Sequence, residues 1–397
     1  MHLYERLGVR PVINARSFST KAGGCALPRE VLDAMCEASD CCVRMDELQE
    51  AASRIIAETT GAEAGMVTSG ASAALTLATA ACLAGFDVAR MNRLPDTMGM
   101  KNEIIVHRSH RNDYDHAVRA AGTRFVEVGF HYYTFAYEIE NAIGPATAAL
   151  FYQAGGEGCC LPLDQFARIA HKHQLPVIVD AAAELPPRGN LKAFVAAGAD
   201  LVAFSGGKHL RGPQSTGILC GRRDLILSAM LQHQDMDVFP ESWPLRQLIA
   251  DGVLAGPPHH GIGRGFKVGK EEIVGLITAL QLYSQRDLEA ERRIWMNGME
   301  TVISEIRTLA GVTTRVVYPQ PNGRDVPHAW ITIEPKLAGM NANAVIRALQ
   351  EGDPPICVFE RLADSGTIVI MPEALSAGEA QIVARRLKQI LTSRRSA

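Results

Sequence analysis

Pro176-Val177-Ile178-Val179-Asp180 is followed, after one short helical stretch over 191–197, by Leu201-Val202-Ala203-Phe204-Ser205-Gly206-Gly207-Lys208-His209. Both runs are short, apolar and bounded by polar or small residues, as expected of strands buried on both faces of a parallel sheet. The same rhythm extends in both directions. Upstream, strand-like runs occur at Gly65-Met66-Val67-Thr68, Glu103-Ile104-Ile105-Val106, 123–128 and 148–152, separated by helical periods over 47–60, 73–84, 114–121 and 163–173. Downstream, Gly217-Ile218-Leu219-Cys220 adds another strand. Alternation of this kind predicts an α/β fold with a mainly parallel sheet flanked by helices. From 270 to about 309 the periodicity predicts one long helix of the kind that bridges domains. Beyond Gly311, strands over 313–318, 329–333 and 367–370 and helices over 341–350 and 377–393 predict a smaller α+β domain. The expected division is an N-terminal segment, 1–20, a large domain, 21–282, and a small C-terminal domain, 283–397.

The 397 residues suffice for two coupled cores, and 47% hydrophobic with 21% charged residues is the composition of a globular protein. A net charge of −3 offers no basic field for nucleic acid or anionic membrane. No apolar run reaches the length of a membrane span, and the N-terminus lacks the basic and apolar regions of a signal peptide. The nine cysteines include the neighbours Cys41-Cys42 and Cys159-Cys160 but no C-x-x-C spacing. This predicts reduced thiols in a cytoplasmic protein and no metal centre. His171-Lys172-His173 lies on a helix, where residues two apart diverge. Gly261-Ile262-Gly263-Arg264-Gly265 has no apolar strand before it, so it is a poor dinucleotide loop. Pro258-His259-His260-Gly261 reads as a loop near the active-site mouth.

Three polar features fall at strand ends, where open α/β sheets place their ligands. Thr68-Ser69-Gly70-Ala71-Ser72 stands at a strand-to-helix junction. Small residues there let the backbone approach an anion, and the first N–H groups of the helix point at it; alone, the motif reads equally well as a tight turn. Asp180 closes an apolar strand, and burying its carboxylate requires a cation nearby; capping the next turn is the plainer role. Lys208 follows two glycines that free the backbone and leave space beside the side chain. In a dry pocket such a lysine is a usable amine nucleophile, although a solvated lysine after a turn is commoner. Together the three supply what pyridoxal 5′-phosphate (PLP) requires: a nest for phosphate, an acid for the pyridine nitrogen and an amine for the aldehyde.

The same residues resemble a known family. Val179-Asp180-Ala181-Ala182-Ala183-Glu184 and Phe204-Ser205-Gly206-Gly207-Lys208-His209-Leu210-Arg211-Gly212-Pro213-Gln214 are similar to fold-type I PLP enzymes of the selenocysteine synthase (L-seryl-tRNA selenium transferase) superfamily. Pro11-Val12-Ile13-Asn14 and Phe266-Lys267-Val268-Gly269-Lys270-Glu271-Glu272-Ile273 extend the likeness over nearly the whole chain. His107-Arg108-Ser109-His110-Arg111-Asn112 through Asp115-His116-Ala117-Val118 is more similar to the D-glucosaminate-6-phosphate ammonia-lyase branch. Members that act on tRNA usually carry an extra N-terminal binding region. This chain opens almost directly on the catalytic motif, so no nucleic-acid partner is expected.

The resemblance implies a fold-type I large domain with a smaller α+β C-terminal domain, and PLP as cofactor. Lys208 would be the Schiff-base lysine and general base, with Asp180 the partner of the pyridine nitrogen. Ala182 would lie under the ring, with His110 stacked on it. Ser69, Gly70 and Ala71, assisted by Ser205, would bind the phosphate. Arg361 would grip a substrate carboxylate through its planar guanidinium, and Arg111 is a second substrate-binding candidate. Such enzymes usually build the site across a homodimer or larger homo-oligomer, so Lys267 and Lys270 would serve a neighbour's phosphate. The implied reaction removes water and ammonia from a hydroxylated amino acid or amino sugar acid to give a 2-oxo acid. Racemisation, aldol cleavage and β-replacement use the same parts. A tRNA-dependent selenium transferase and a non-catalytic PLP-binding protein are the readings outside that set.

Overall fold

The computed structural model describes residues 3–156, 158, 160–233 and 239–393. The chain divides into two compact units, Leu27–Ser284, and Met1–Ala26 together with Gln285–Ala397. In chain order the strands are β1 (Ile13–Ala15), β2 (Ala64–Thr68), β3 (Glu103–His107), β4 (Arg124–Val128), β5 (Thr147–Gln153), β6 (Val177–Asp180), β7 (Leu201–Ser205), β8 (Gly217–Gly221), β9 (Val312–Val317), β10 (His328–Ile333), β11 (Ile356–Val358) and β12 (Thr367–Ile370).

Within Leu27–Ser284 the sheet runs β2-β8-β7-β6-β5-β3-β4. Only β8 is antiparallel to its neighbours. Its inner strands are apolar because helices cover both faces, while the edge strand β4 carries the exposed Arg124 and Glu127. The alanine-rich helix Ala71–Ala84 is buried along nearly its whole length, and small side chains let it lie close to β7 and β8. The helix Leu163–Lys172 is amphipathic and buries Leu163, Phe166, Ala167, Ile169 and Ala170. Leu77, Val106, Phe151, Ile178, Ala203 and Leu219 belong to the resulting core. Burying each large aliphatic side chain contributes about 1.5–3 kcal/mol. Parallel order also brings the carboxyl ends of β2, β3, β5, β6 and β7 to one edge of the sheet.

The other unit holds the antiparallel sheet β12-β10-β9 and a parallel pair, β1 with β11, in which Ile13 faces Ile356. The first residues therefore fold with the C-terminal part of the chain. The single helix expected over 270–309 is two helices, Lys270–Gln285 and Leu288–Ile306. The break has a local cause: the Asp287 side chain accepts the Ala290 N–H at 2.9 Å and starts the second helix as its N-cap. Among the described residues no helix is long and apolar enough to cross a membrane.

Candidate active site

The sheet register sets the site. Thr68 at the end of β2 faces Gly217, which faces Ser205 at the end of β7. Asp180 ends β6 opposite Ala203 and is paired on its other side with Gln153 of β5. The three sequence features thus stand at one sheet edge, on strands spaced about 4.8 Å apart.

The anion nest follows β2. Helix Ala71–Ala84 begins after Gly70, whose φ of 133° suits glycine, and no side chain caps it. Its first N–H groups therefore remain for an external acceptor. The Thr68 hydroxyl donates to the Gly70 carbonyl at 2.9 Å and holds the turn. A Cβ on Gly70 would have nothing within 4 Å, so the turn opens onto free space. Ser69 and Ala71 are half-buried beside it.

Lys208 follows Ser205-Gly206-Gly207, and here the structure corrects the reason for the glycines. Neither Gly206 nor Gly207 has a left-handed backbone; both are forced by crowding. A Cβ on Gly206 would stand 2.1 Å from the Thr216 hydroxyl, and one on Gly207 would stand 2.6 Å from Gln214 Cα. The loop is pinned by Gly206 N–H to Thr216 O at 2.8 Å and Gly212 N–H to Gly206 O at 2.9 Å. Lys208 is thereby delivered from a rigid turn, half-buried.

Asp180 is 4% exposed. Burial raises its carboxyl pKa above the ordinary value, while the Ala182 N–H and the Lys208 ammonium act against that rise. One carboxylate oxygen accepts the Ala182 N–H at 2.9 Å. A cationic N–H donor is the ligand this buried acid would hold best, and a protonated pyridine nitrogen is such a donor. The nest, the buried acid and the lysine charge acting on it therefore fit PLP.

His110 is buried at the same edge, and burial pushes its imidazole down to about 4. Its Nδ1 accepts the Gln153 backbone N–H at 3.2 Å and its Nε2 lies 3.0 Å from Cys160 Sγ. The Gln153 side chain, which sequence reasoning passed over, accepts from Asn112 Nδ2 at 2.9 Å and donates to the Asp180 carbonyl at 3.3 Å. It ties the His110 loop to the Asp180 strand. Its place at the end of an apolar strand was the available signal. From the sequence Cys160 reads as a small, partly buried residue with no chemical role, and His107 is given none, although His107-Arg108-Ser109-His110 spaces two histidines by three. Cys159 lies outside the described residues.

The remaining expected residues have other partners. The Arg111 guanidinium is engaged by Asp115 and Glu127 and lies 4.8 Å over the Phe125 ring, so a substrate would have to displace a carboxylate to reach it. Lys270 donates to the Ala38 carbonyl and to Glu271, both at 2.5 Å. Lys267 lines a cavity of about 310 Å³ with Met66, Trp243 and Arg264. Arg361 is an exposed residue of the unit containing Gln285–Ala397.

Residues 29–237 match the sequence family described as SelA, L-seryl-tRNA selenium transferase. A 5′-C-glycyluridine monooxygenase-decarboxylase of Streptomyces sp is 33% identical, the match covering 98% of this chain and 92% of that protein. The D-glucosaminate-6-phosphate ammonia lyase of Salmonella typhimurium (strain 14028s / SGSC 2262) is 31% identical over 98% of both chains. This chain belongs to the L-seryl-tRNA selenium transferase family. A solved D-glucosaminate-6-phosphate ammonia-lyase structure superposes with a TM-score of 0.82 at 31% identity, covering 99% of each chain. A cysteine desulfurase of Thermococcus onnurineus NA1 shares the fold at a TM-score of 0.57 and 17% identity. The architecture is that of fold-type I PLP enzymes, and the protein is an enzyme of this family, similar to its ammonia-lyase branch over its full length.

Proposed function

We propose that the protein is a PLP-dependent lyase that converts a hydroxylated amino acid or amino sugar acid to a 2-oxo acid and ammonia. The observation that carries this is the placement of Asp180, the Ser205–Lys208 turn and the uncapped start of helix Ala71–Ala84 at one sheet edge, in a chain similar over 98% of its length to an ammonia lyase. PLP, when bound, supplies an electron sink for the pair released as the substrate Cα–H bond breaks.

The chain's own groups do the rest. Ser69, Gly70 and Ala71, with Ser205, hold the phosphate through backbone N–H groups and hydroxyls. The Asp180 carboxylate would accept the pyridine N–H and keep that proton in place. At about 4 Å and an effective dielectric near 20, such a pair contributes roughly 4 kcal/mol to the protonated form. Lys208 Nζ would be the amine that holds the cofactor and, when free, would accept the substrate Cα proton. Hydroxide leaves Cβ with a proton as water; a water then returns during hydrolysis, so the net products are the 2-oxo acid and ammonium. Ala182 would leave room for the cofactor ring, and His110, fixed by the Gln153 N–H and Cys160, would be its stacking partner. Arg361 receives the substrate carboxylate, and Arg111 does so by exchanging Asp115 or Glu127. A homo-oligomer in which Lys270 exchanges Glu271 for a neighbour's phosphate, working in the cytoplasm, completes the reading.

The test is an assay of the PLP-loaded enzyme with D- and L-β-hydroxy amino acids and phosphorylated amino sugar acids. It follows 2-oxo acid and ammonium together with oxygen uptake and carbon dioxide release. Equimolar 2-oxo acid and ammonium without oxygen uptake is the expected result. Oxygen consumption with decarboxylation, or racemisation alone, would overturn the lyase reading.

A further inference from the structure

Beside the proposed cofactor pocket, His107, His110 and Cys160 bring their ligand-type atoms within 4.8 Å of one another. His107 is fully buried, and among the described residues neither ring nitrogen has a hydrogen-bond partner. Buried imidazole nitrogens are seldom left this way without an unseen water or ion. The ring instead lies among other rings, 4.6 Å from Phe166 and edge-on to His110 at 4.7 Å. Cys160 is only partly buried, which gives an ion a path from solvent.

We propose that His107, His110 and Cys160 form a binding site for a thiophilic divalent cation of the zinc class, with water in the fourth position. Two imidazoles and one thiolate are a ligand set that zinc accepts, and the fourth position left to water makes the site open. Binding releases the Cys160 thiol proton to solvent. The His110 Nε2 proton moves to Nδ1, which gives up the long 3.2 Å bond from the Gln153 N–H. The Sγ to Nε2 separation of 3.0 Å opens slightly to admit the ion. Coordination uses the plane of the imidazole, so the ion would fix the His110 ring without lying over either of its faces. The site stands on these three side chains alone and does not depend on the lyase reading.

The test uses zinc chloride and the PLP-loaded protein without amino acid. The expected result is one zinc per chain retained after dialysis. Zinc-edge X-ray absorption should then show one sulfur at about 2.3 Å and two imidazole nitrogens at about 2.0–2.1 Å. Cys160→Ser and His107→Gln should each weaken zinc binding about 100-fold. The wild-type absorption spectrum decides the matter if a variant fails to fold. Sub-stoichiometric zinc, two or more sulfur ligands, or affinity unchanged by both substitutions would overturn the proposal and assign any bound ion to the exposed Cys36, Cys41 and Cys42.

Discussion

Gly217 lies directly against the Gly70–Ala71 peptide: a Cβ there would stand 2.4 Å from the Gly70 carbonyl carbon and 2.6 Å from the Ala71 nitrogen. The antiparallel strand β8 can therefore lie beside the anion nest only with glycine at its first position. Gly217→Ala must move the start of the Ala71–Ala84 helix or the strand. Overpacking of this kind costs about 1–3 kcal/mol. The expected outcome is a lower Tm and PLP affinity reduced about tenfold. A wild-type Tm and Kd would show that the nest tolerates the displacement.

Asp180→Asn keeps the shape and removes the charge. With roughly 4 kcal/mol at stake, kcat should fall about 1,000-fold while the fold survives. A rate within a few-fold of wild type would remove Asp180 from the chemistry.

The same residue sets a pH dependence in the cofactor-free protein. Its folded-state pKa lies above the ordinary 3.8, chiefly through burial. Between 3.8 and the raised value the native state holds a proton that the unfolded chain has lost. Stability therefore falls as pH rises through that window and stays reduced above it. Chemical denaturation of the wild type and Asp180→Asn over this range should show the slope in the first and a flatter profile in the second. Equal slopes would contradict the assignment.

Gln153→Leu removes the bonds to Asn112 and to the Asp180 carbonyl while leaving the backbone N–H that meets His110. Asn112 Nδ2 keeps its bond to the His110 carbonyl and the Asp180 carbonyl keeps the Ala154 N–H, so the two lost bonds cost about 0.5–1.5 kcal/mol each. kcat should fall about tenfold with KM little changed, because the site loses positioning and not substrate contacts. A change confined to KM would place Gln153 in substrate binding instead.

Much of this was legible in the sequence. All seven strands of the large sheet were readable, because the buried inner strands are short apolar runs and even the edge strand β4 keeps Phe125, Val126 and Val128 between its polar residues. Strand order was not readable. Nothing in Gly217-Ile218-Leu219-Cys220 says that it runs backwards between β2 and β7, since that depends on contacts with residues far along the chain. The pairing of Ile13 with Ile356 was hidden for the same reason. The break before Leu288 was legible after all: Asp287 is a good N-cap residue, but the apolar period continues across it and masked the signal. At the site, Asp180 and Lys208 announce themselves by residue type at a strand end. The partners of His110 do not, because Cys160 meets it across a loop.

Borohydride reduction of the purified protein after incubation with PLP, followed by peptide mass spectrometry, tests the central claim most directly. A stable phosphopyridoxyl group on Lys208, absent from Lys208→Ala, is the predicted result. No adduct, or one carried by another lysine such as Lys267 or Lys270 with Lys208 unmodified, would contradict the account.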